Sequence, residues 1–201
     1  NLSFFKLCGT SSSDFNFVNI SSTTSTNTGY NIKWGDATPD ANMPTFSAPI
    51  THNYSIGSHT LLYSVTGNNG CTDTASYFVF VGSNPAVGLG NPGNTTICTK
   101  DSLTFPVNNT SGNTPGTMYT ITINDNTAPF SFNPIGVNPS FTHVFNISSC
   151  GVNSSDGANT YSNSYSARIT ASNPCGTSAA NIVPIYVSKK PEPAFSILPS
   201  D

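Results

Sequence analysis

The stretch NIKWGDATPD, residues 31–40, places two carboxylates, Asp36 and Asp40, beside the only tryptophan of the chain, Trp34. Two carboxylates at this spacing could act as a general acid and base, or could supply oxygen ligands to calcium. They could instead belong to the turn of a structural module, where an Asp accepts hydrogen bonds from nearby N–H groups. Calcium needs several oxygen ligands, and Asp36 with Asp40, or Asp125 with its neighbouring asparagines, supplies only part of such a set.

Three histidines could join a metal site or a catalytic triad. His52 and His143 occupy equivalent places in two similar blocks, THNY and THVF, which favours structural histidines with satisfied ring nitrogens. His59 has no such counterpart and is expected at the solvated start of a strand. The chain contains no HExxH, CxxC, GxSxG or glycine-rich phosphate loop. With a single glutamate, Glu192, a glycosidase carboxylate pair is also hard to assemble. The sequence therefore predicts no catalytic site and no cofactor, with calcium as the open alternative.

Composition indicates which elements must position these residues. Only 7% of the residues are charged, against about 25% in ordinary globular proteins, and the chain is rich in Asn, Ser and Thr. Its 15 prolines and 16 glycines disfavour long helices. The 11% of aromatic residues and the regular Val/Ile patterning can build a core, which argues against disorder. We therefore predict an all-β fold.

Charge and cysteine content restrict the partners and the compartment. A net charge of −3 with six scattered Lys and Arg excludes a nucleic-acid partner. No apolar run approaches the roughly 18 residues of a transmembrane helix. Five cysteines in a chain with few lysines fit an exported protein in an oxidising place. Because no initiator Met, signal peptide or anchor is present, we expect a segment of a longer polypeptide.

Two copies of one module account for most of the chain. YNIKWGD recurs as YTITIND, THNY as THVF, and VTGNNGC as ITASNPC, in the same order about 90 to 100 positions later. The second copy carries an insertion before its last block, and this insertion contains Cys150. We predict one β-sandwich repeat over residues 1–84, a second over 85–190, and the start of a third repeat or a linker over 191–201.

Apolar residues alternate with period two inside each copy, as they do in half-buried strands. Gly, Asn and Pro turns separate these strands at the spacing of a β-sandwich. The predicted core of the first copy comprises Phe15, Phe17, Ile32, Trp34, Leu61, Tyr63, Val65 and Val79. The predicted core of the second copy comprises Phe105, Val107, Ile121, Ile123, Ile169 and Ile185.

Four short blocks of the first copy, WGD, HNY, HTLLYSV and NNG, resemble the signature of the PKD domain. The PKD domain is an immunoglobulin-like sandwich common in bacterial surface proteins. The second copy departs from the signature, with Asn124 in place of the glycine before Asp125 and Phe145 in place of the tyrosine. The resemblance implies tandem PKD-like, immunoglobulin-like β-sandwiches.

The resemblance also implies a role for Asp36 and Asp125, which hold the same repeat position. A strand that ends in Gly-Asp needs a residue that tolerates an unusual φ, and the Asp carboxylate caps the N–H groups of the turn. Both aspartates are therefore expected to be turn residues of the fold, in preference to calcium ligands or catalytic groups.

The blocks TICTKDSLTF, SSCG and NPCG are similar to repeats of giant gliding-motility adhesins of the Bacteroidota (SprB-like), which the type 9 secretion system exports. This similarity implies a cell-surface or extracellular location. It implies as partners the neighbouring repeats of the same polypeptide and the secretion and motility machinery of the cell envelope. The Asp-Ser/Thr-apolar triplets around Thr74 and Ser102 resemble the O-glycosylation acceptor motif of that phylum.

Two functions remain open at this point. In the first, the modules are structural repeats that space or present adhesive regions for surface attachment and gliding. In the second, each module itself binds a surface polysaccharide or a protein through exposed aromatic residues. Because most aromatics fall in core positions of the strands, the spacer function is favoured.

The five cysteines allow conflicting pairings. Repeat equivalence suggests Cys8–Cys71 and Cys98–Cys175, which leaves Cys150 unpaired. The topology of a sandwich places Cys98 and Cys175 at opposite ends, and Cys98 and Cys150 at the same end. We favour Cys8–Cys71 in the first copy and leave the second copy open.

The link between the copies is short. Val87 and Leu89 are expected to pair into the second sandwich, so the free link shrinks to about four residues around Pro85. Pro85 fixes its own φ and biases Asn84 toward an extended conformation. The sequence therefore predicts modules stacked end to end, with a radius of gyration above the roughly 16 to 17 Å of a globular chain of this length.

Overall fold

The computed structural model describes most of the chain, namely residues 3–9, 13–23, 26–46, 48–133 and 140–197. The regular elements of these residues are β-strands, with no α-helix, so the predicted all-β fold is confirmed. The last part of the predicted third repeat, residues 198–201, lies outside the described residues. The described part contains no helix that is long and apolar enough to cross a membrane.

The chain forms two compact units. Unit 1 comprises residues 1–85 together with two later segments, 112–118 and 172–178, and unit 2 comprises residues 86–111, 119–171 and 179–201. The boundaries predicted at residues 84 and 190 follow the sequence repeats and stay predictions.

Unit 1 contains two sheets whose apolar faces meet. Its strands are β1 (Ser3–Cys8), β2 (Ser13–Phe17), β3 (Asn27–Lys33), β4 (Ala41–Met43), β5 (Ile50–Tyr54), β6 (Gly57–Gly67) and β7 (Thr72–Gly82). Five of them form one sheet in the order β1-β7-β6-β3-β4, in which β1 runs parallel to β7 and the other pairs are antiparallel. The antiparallel pair β2–β5 forms the opposing sheet.

The core of unit 1 follows from the period-two alternation. Ile32, Leu61 and Val79 come from the five-stranded sheet, and Tyr54 comes from β5 in the opposing pair. All four side chains are buried in one cluster together with Trp34. Burial of a large apolar side chain contributes about 1.5–3 kcal/mol, so this cluster holds the two sheets together.

Unit 2 repeats this architecture. Its strands are β8 (Gly88–Leu89), β9 (Thr96–Cys98), β10 (Ser102–Asn108), β11 (Met118–Ile123), β12 (Phe130–Phe132), β13 (Ser140–Val144), β14 (Asn153–Ser155), β15 (Thr160–Ser162), β16 (Tyr165–Asn173) and β17 (Gly176–Ser188). Met118, residues 172–173 of β16 and residues 176–178 of β17 belong to unit 1. One sheet has the order β12-β11-β16-β17-β9, with β9 parallel to β17, and the other has the order β13-β10-β8. The small hairpin β14–β15 lies in the predicted insertion. Each unit is an immunoglobulin-like β-sandwich.

Most of the predicted core is confirmed. The buried residues are Ile32, Trp34, Leu61, Val79, Phe105, Val107, Ile121, Ile123, Ile169 and Ile185. Phe15, Phe17 and Tyr63 are half-buried and pack against the core of unit 1. Val65, near the end of β6, is also half-buried.

The two apolar residues of the predicted link join unit 2, as expected. Val87 is buried in a core cluster with Val107 and Ile121. Leu89 lies in β8 and pairs with Val107 of β10. This part of the linker prediction is confirmed.

The favoured disulfide pairing is wrong. Cys8 is bonded to Cys175, and Cys71, Cys98 and Cys150 are free thiols. Cys8 lies opposite Gly82 at the end of β7, whereas Cys71 precedes the first residue of that same strand. An 11-residue strand spans roughly 33 Å, while a disulfide requires Cα atoms within about 7 Å.

The same geometry excludes the pairing suggested for the second copy. Cys98 lies opposite Ser188 at the end of β17, and Cys175 immediately precedes β17. Both residues of the observed bond, Cys8 and Cys175, belong to unit 1, with a Cα–Cα distance of 5.6 Å.

Candidate functional site

The turn after β3 positions the first candidate carboxylate, Asp36. Gly35 adopts a φ of 79°, a left-handed conformation that favours glycine. A Cβ atom at this position would overlap the carbonyl oxygen of Thr60 on β6. Glycine is therefore required here for two reasons, and it turns the chain so that Asp36 points back toward the sandwich.

Both carboxylate oxygens of Asp36 are engaged. Thr38 donates two hydrogen bonds to Oδ1, one from its backbone N–H at 3.1 Å and one from its hydroxyl. Oδ2 lies 2.8 Å from Nε2 of His52, which comes from β5 in the opposing sheet. Asp36 therefore caps its own turn, as the family resemblance implies, and also ties that turn to the second sheet.

Unit 2 contains the same cluster. Thr127 donates to Oδ1 of Asp125 from its backbone N–H at 3.1 Å and from its hydroxyl at 2.6 Å. Nε2 of His143, on β13, lies 2.7 Å from Oδ2 of the same aspartate. We call each of these arrangements an Asp–Thr–His clamp: Asp36, Thr38 and His52 in unit 1, and Asp125, Thr127 and His143 in unit 2.

The clamps stabilise the ionised carboxylates. Burial by itself would raise the pKa of Asp36, but the hydrogen bonds from Thr38 and His52 outweigh it and lower the pKa to about 2. Burial also opposes ionisation of Asp125, and the hydrogen bonds from Thr127 and His143 again lower its pKa. A carboxylate that accepts several hydrogen bonds is favoured in its charged form.

The imidazole of each clamp is packed inside its unit. The ring of His52 stacks on Trp34 at a centroid distance of 4.0 Å and meets the edge of Tyr54 at 4.7 Å. The hydroxyl of buried Tyr54 donates to the backbone carbonyl of Trp34 at 3.1 Å, and burial raises the pKa of that phenol. In unit 2, His143 contacts Phe145 at 4.7 Å. The predicted structural role of His52 and His143 agrees with these contacts.

Asp40 and His59 lie outside the clamp of unit 1. Asp40 is exposed, and its carboxylate accepts one long hydrogen bond, 3.5 Å, from the side-chain amide of Asn31. His59 lies on β6, half-buried, with Nε2 3.0 Å from the carbonyl oxygen of Ser55. Paired-carboxylate chemistry would need Asp36 and Asp40 to act on one site. The Asp36 carboxylate contacts Thr38 and His52, whereas the Asp40 carboxylate contacts Asn31.

The calcium alternative meets the same arrangement. A calcium site uses six to eight oxygen ligands, whereas the oxygens of Asp36 and Asp125 already accept hydrogen bonds from N–H and O–H donors. Within the described residues no group of three or more His, Cys, Asp or Glu side chains is placed to hold a metal ion. The clamps can therefore hold a turn against a sheet, and we assign them that role.

Sequence reasoning missed two parts of the clamps. It expected an unusual φ only at the glycine before the aspartate, but the left-handed residues common to both copies are Ala37, with φ 67°, and Asn126, with φ 68°. Asn124 acts differently, since its side-chain oxygen accepts a hydrogen bond from the Ser166 N–H at 2.7 Å. The signal that could have revealed the clamp is the Thr that follows each aspartate by two positions.

Other candidate positions are open to solvent. Thr74 and Ser102, the predicted O-glycosylation acceptors, are both exposed, and the Thr74 hydroxyl lies 2.8 Å from that of Ser64. Their modification stays a prediction.

Unit 1 also has a cavity of about 280 Å³ with a largely apolar lining that includes Phe5, Phe15, Phe17 and Tyr77.

Unit 2 carries an aromatic surface. Phe130 on β12 is 51% exposed. Its ring packs 5.7 Å from that of Phe132 and 5.6 Å from that of Phe141. We call these three residues the Phe130 surface; they form the kind of platform on which a flat ligand could stack.

Comparisons with known proteins find likeness to solved structures only. No protein-family model and no curated protein matches the chain. Among solved structures, the chain is similar to the fibronectin(III)-like modules of CbhA from Clostridium thermocellum, with 14% identity, a TM-score of 0.40, and coverage of 97% of this chain and 95% of that one.

Murine CEACAM1b is similar at 12% identity and a TM-score of 0.40, over 82% of this chain and 87% of that one. SGBP-B of the Bacteroides ovatus mixed-linkage glucan utilization locus, solved with a mixed-linkage heptasaccharide, is similar at 11% identity and a TM-score of 0.31. That match covers 93% of this chain and 42% of the other.

Proposed function

We propose that the chain is a structural repeat segment of a large, exported cell-surface adhesin of the gliding-motility type, which spaces or presents adhesive regions for surface attachment. The observation that carries this proposal is the duplication of the Asp–Thr–His clamp. Asp36 with His52, and Asp125 with His143, hold equivalent turns with equivalent contacts. A feature that recurs with the module and faces inward serves the fold of each copy.

The chemistry of the clamps supports a role in holding each fold together over a catalytic one. Each clamp joins a turn of one sheet to a strand of the other through a charged, largely buried hydrogen bond. Hydrogen bonds to charged groups contribute about 1.5–3 kcal/mol, more than neutral ones. Such bonds between the two sheets oppose unfolding of each copy, and a repeat that works outside the cell has to stay folded.

As part of this proposal, the chain is exported by the type 9 secretion system to the cell surface. Its partners would be neighbouring repeats of the same polypeptide and the secretion and motility machinery of the envelope. The proposal rests here on the repeat blocks and on the sparse charge of the chain.

The spacer proposal is tested by small-angle scattering and a glycan array on the same purified chain. A spacer is expected to give a radius of gyration clearly above the roughly 16 to 17 Å of a globular chain of this length, and no glycan binding. A compact particle would contradict the spacer function, and so would specific glycan binding.

The Phe130 surface favours a second candidate function, direct binding of a surface polysaccharide. Aromatic rings stack on the apolar faces of sugar rings, and Phe130 leaves half of its surface open to such a ligand. In this case Phe130→Ala abolishes binding on the glycan array. Ile147→Ala removes another exposed apolar side chain of unit 2, 60% exposed, and serves as the matched control that leaves binding unchanged.

A further inference from the structure

Each repeat contains one cysteine at the end of a short strand that runs parallel to the last strand. Cys8 ends β1 opposite Gly82 of β7, and Cys98 ends β9 opposite Ser188 of β17. The residue after each cysteine continues the pairing: Gly9 N–H donates to the Gly82 carbonyl at 2.8 Å, and Thr99 N–H to the Ser188 carbonyl at 2.9 Å. We call Cys8 and Cys98 the strand-end cysteines.

Each repeat also contains one cysteine in the turn that precedes its last strand. The N–H of Cys71 donates to Oδ1 of Asn69 at 3.0 Å, and the N–H of Cys175 donates to Oδ1 of Asn173 at 2.8 Å. The two turns therefore present their cysteines in the same local geometry. We call Cys71 and Cys175 the turn cysteines.

A strand-end cysteine cannot reach the turn cysteine of its own repeat, because the whole last strand separates them. The bond that forms joins the strand-end cysteine of the first repeat, Cys8, to the turn cysteine of the second, Cys175. By sequence Cys175 belongs to the second repeat, although its turn is part of unit 1. Lys6 Nζ donates to the carbonyl of Pro174 at 2.7 Å beside the bond. One cysteine of each type is left over, Cys71 and Cys98, and both are free thiols.

We propose that Cys71 and Cys98 form the same kind of bond with further copies of the module, so that disulfides run from each repeat to the next. Cys98 would bond the turn cysteine of a following copy, and Cys71 the strand-end cysteine of a preceding copy. This inference rests on the proposed function, since it needs a tandem array. Cys150 has no counterpart in the first repeat and takes no part.

The bond forms by thiol–disulfide exchange with a small disulfide oxidant such as oxidised glutathione. One cysteine thiolate attacks glutathione disulfide, which gives a mixed disulfide and releases one glutathione thiolate. The second cysteine thiolate attacks the protein sulfur of the mixed disulfide and releases the second glutathione thiolate. Two protein thiols are thereby oxidised, one glutathione disulfide is reduced to two thiols, and the protons from the cysteines pass to the glutathione.

The full chain tests this inference, because its Cys71 and Cys98 are complementary and two chains can join head to tail. At about 1 mM chain, comparable to the effective concentration that a short linker provides, and in a glutathione redox buffer, we expect a ladder of disulfide-linked oligomers. Peptide mass mapping should identify a Cys71–Cys98 bond between chains while Cys8–Cys175 stays intact.

Single variants make the test specific. Cys71→Ser and Cys98→Ser should each lose the ladder, and an equimolar mixture of the two should give a dimer and no larger species. Cys150→Ser should keep the ladder. A Cys98–Cys150 bond within one chain, Cys71–Cys71 dimers, or free thiols that stay open to alkylation in the oxidising buffer would each overturn the inference. These outcomes would leave the scattering and glycan results that test the spacer function unaffected.

Discussion

Removal of the clamp carboxylate in unit 1 by Asp36→Ala should destabilise the unit by about 2–3 kcal/mol at neutral pH. The substitution deletes the acceptor of both Thr38 hydrogen bonds and of the His52 contact. Lowering the pKa of Asp36 from 3.8 to about 2 corresponds to about 2 kcal/mol of stability, at about 1.4 kcal/mol per pH unit. The side chain is only 6% exposed, but Thr38 and the rest of the turn are open to solvent, so screening keeps this contribution at or below about 2 kcal/mol.

The contribution should depend on pH with a definite sign. The pKa of Asp36 is lower in the folded state than in the unfolded chain, so the folded carboxylate holds its proton less tightly. Its stabilisation is therefore fully present above the unfolded pKa near 4, and it is lost as the pH falls from there toward 2. The difference in unfolding free energy between the wild type and Asp36→Ala should shrink across this window.

Urea unfolding followed by tryptophan fluorescence measures this difference, because Trp34 is the only tryptophan and it stacks on His52 of the clamp. Asp40→Ala is the matched control: it removes an exposed carboxylate in the same stretch, with one long hydrogen bond, and should change stability by less than about 0.5 kcal/mol. The reasoning would be refuted by an equal loss in both variants, or by a difference for Asp36→Ala that stays constant between pH 6 and pH 2.

Three further predictions concern the backbone and the disulfide. Ala37→Asn should stabilise unit 1 by about 0.5–1 kcal/mol in urea titrations, because Asn tolerates the left-handed φ of 67° better than Ala. Asn126→Ala, at the equivalent φ of 68°, should destabilise unit 2. If neither variant changes stability, the two positions are not equivalent in their need for a left-handed residue. Gly35→Ala should lower the free energy of unfolding by several kcal/mol, because the added Cβ overlaps Thr60. Gly70→Ala has the same φ of 79° but open space around the added Cβ, and should lower it by about 1 kcal/mol. Similar decreases in both variants would show that φ alone matters. In calorimetry, Cys8→Ser should lower the free energy of unfolding by about 2–5 kcal/mol, and Cys175→Ser should lower it by the same amount. Cys71→Ser should have little effect. A large decrease in stability for Cys71→Ser would contradict the bond at Cys8.

Two signals in the sequence predict the fold: the period-two alternation within each strand and the repeat of short blocks. Period-two alternation identifies strands such as β11, where Tyr119, Ile121 and Ile123 are all buried. The repeat identifies the duplicated turns at Asp36 and Asp125, since equivalent blocks must occupy equivalent places.

Long-range pairings escaped sequence reasoning because they depend on which end of a strand a residue occupies. The repeat makes Cys8 equivalent to Cys98 and Cys71 equivalent to Cys175, which suggested one bond inside each copy. The full length of β7 nevertheless lies between Cys8 and Cys71. The left-handed φ at Ala37 was missed because Ala gives no compositional signal for that conformation. The aromatic residues Tyr54 and Phe145 are fully buried but stand outside the predicted cores.

The bond between Cys8 and Cys175 has a consequence for the chain under tension. When a polypeptide is pulled from its two ends, force follows the shortest covalent path, and here that path crosses the sulfur–sulfur bond. The two cysteines are 167 residues apart, so roughly 550–600 Å of extended contour length lies in a loop that bears no pull while the bond is intact. Both Asp–Thr–His clamps fall inside that loop. An applied force would then act on the residues before Cys8 and on those after Cys175, which include β17, and the length inside the loop would be released only after the bond is reduced.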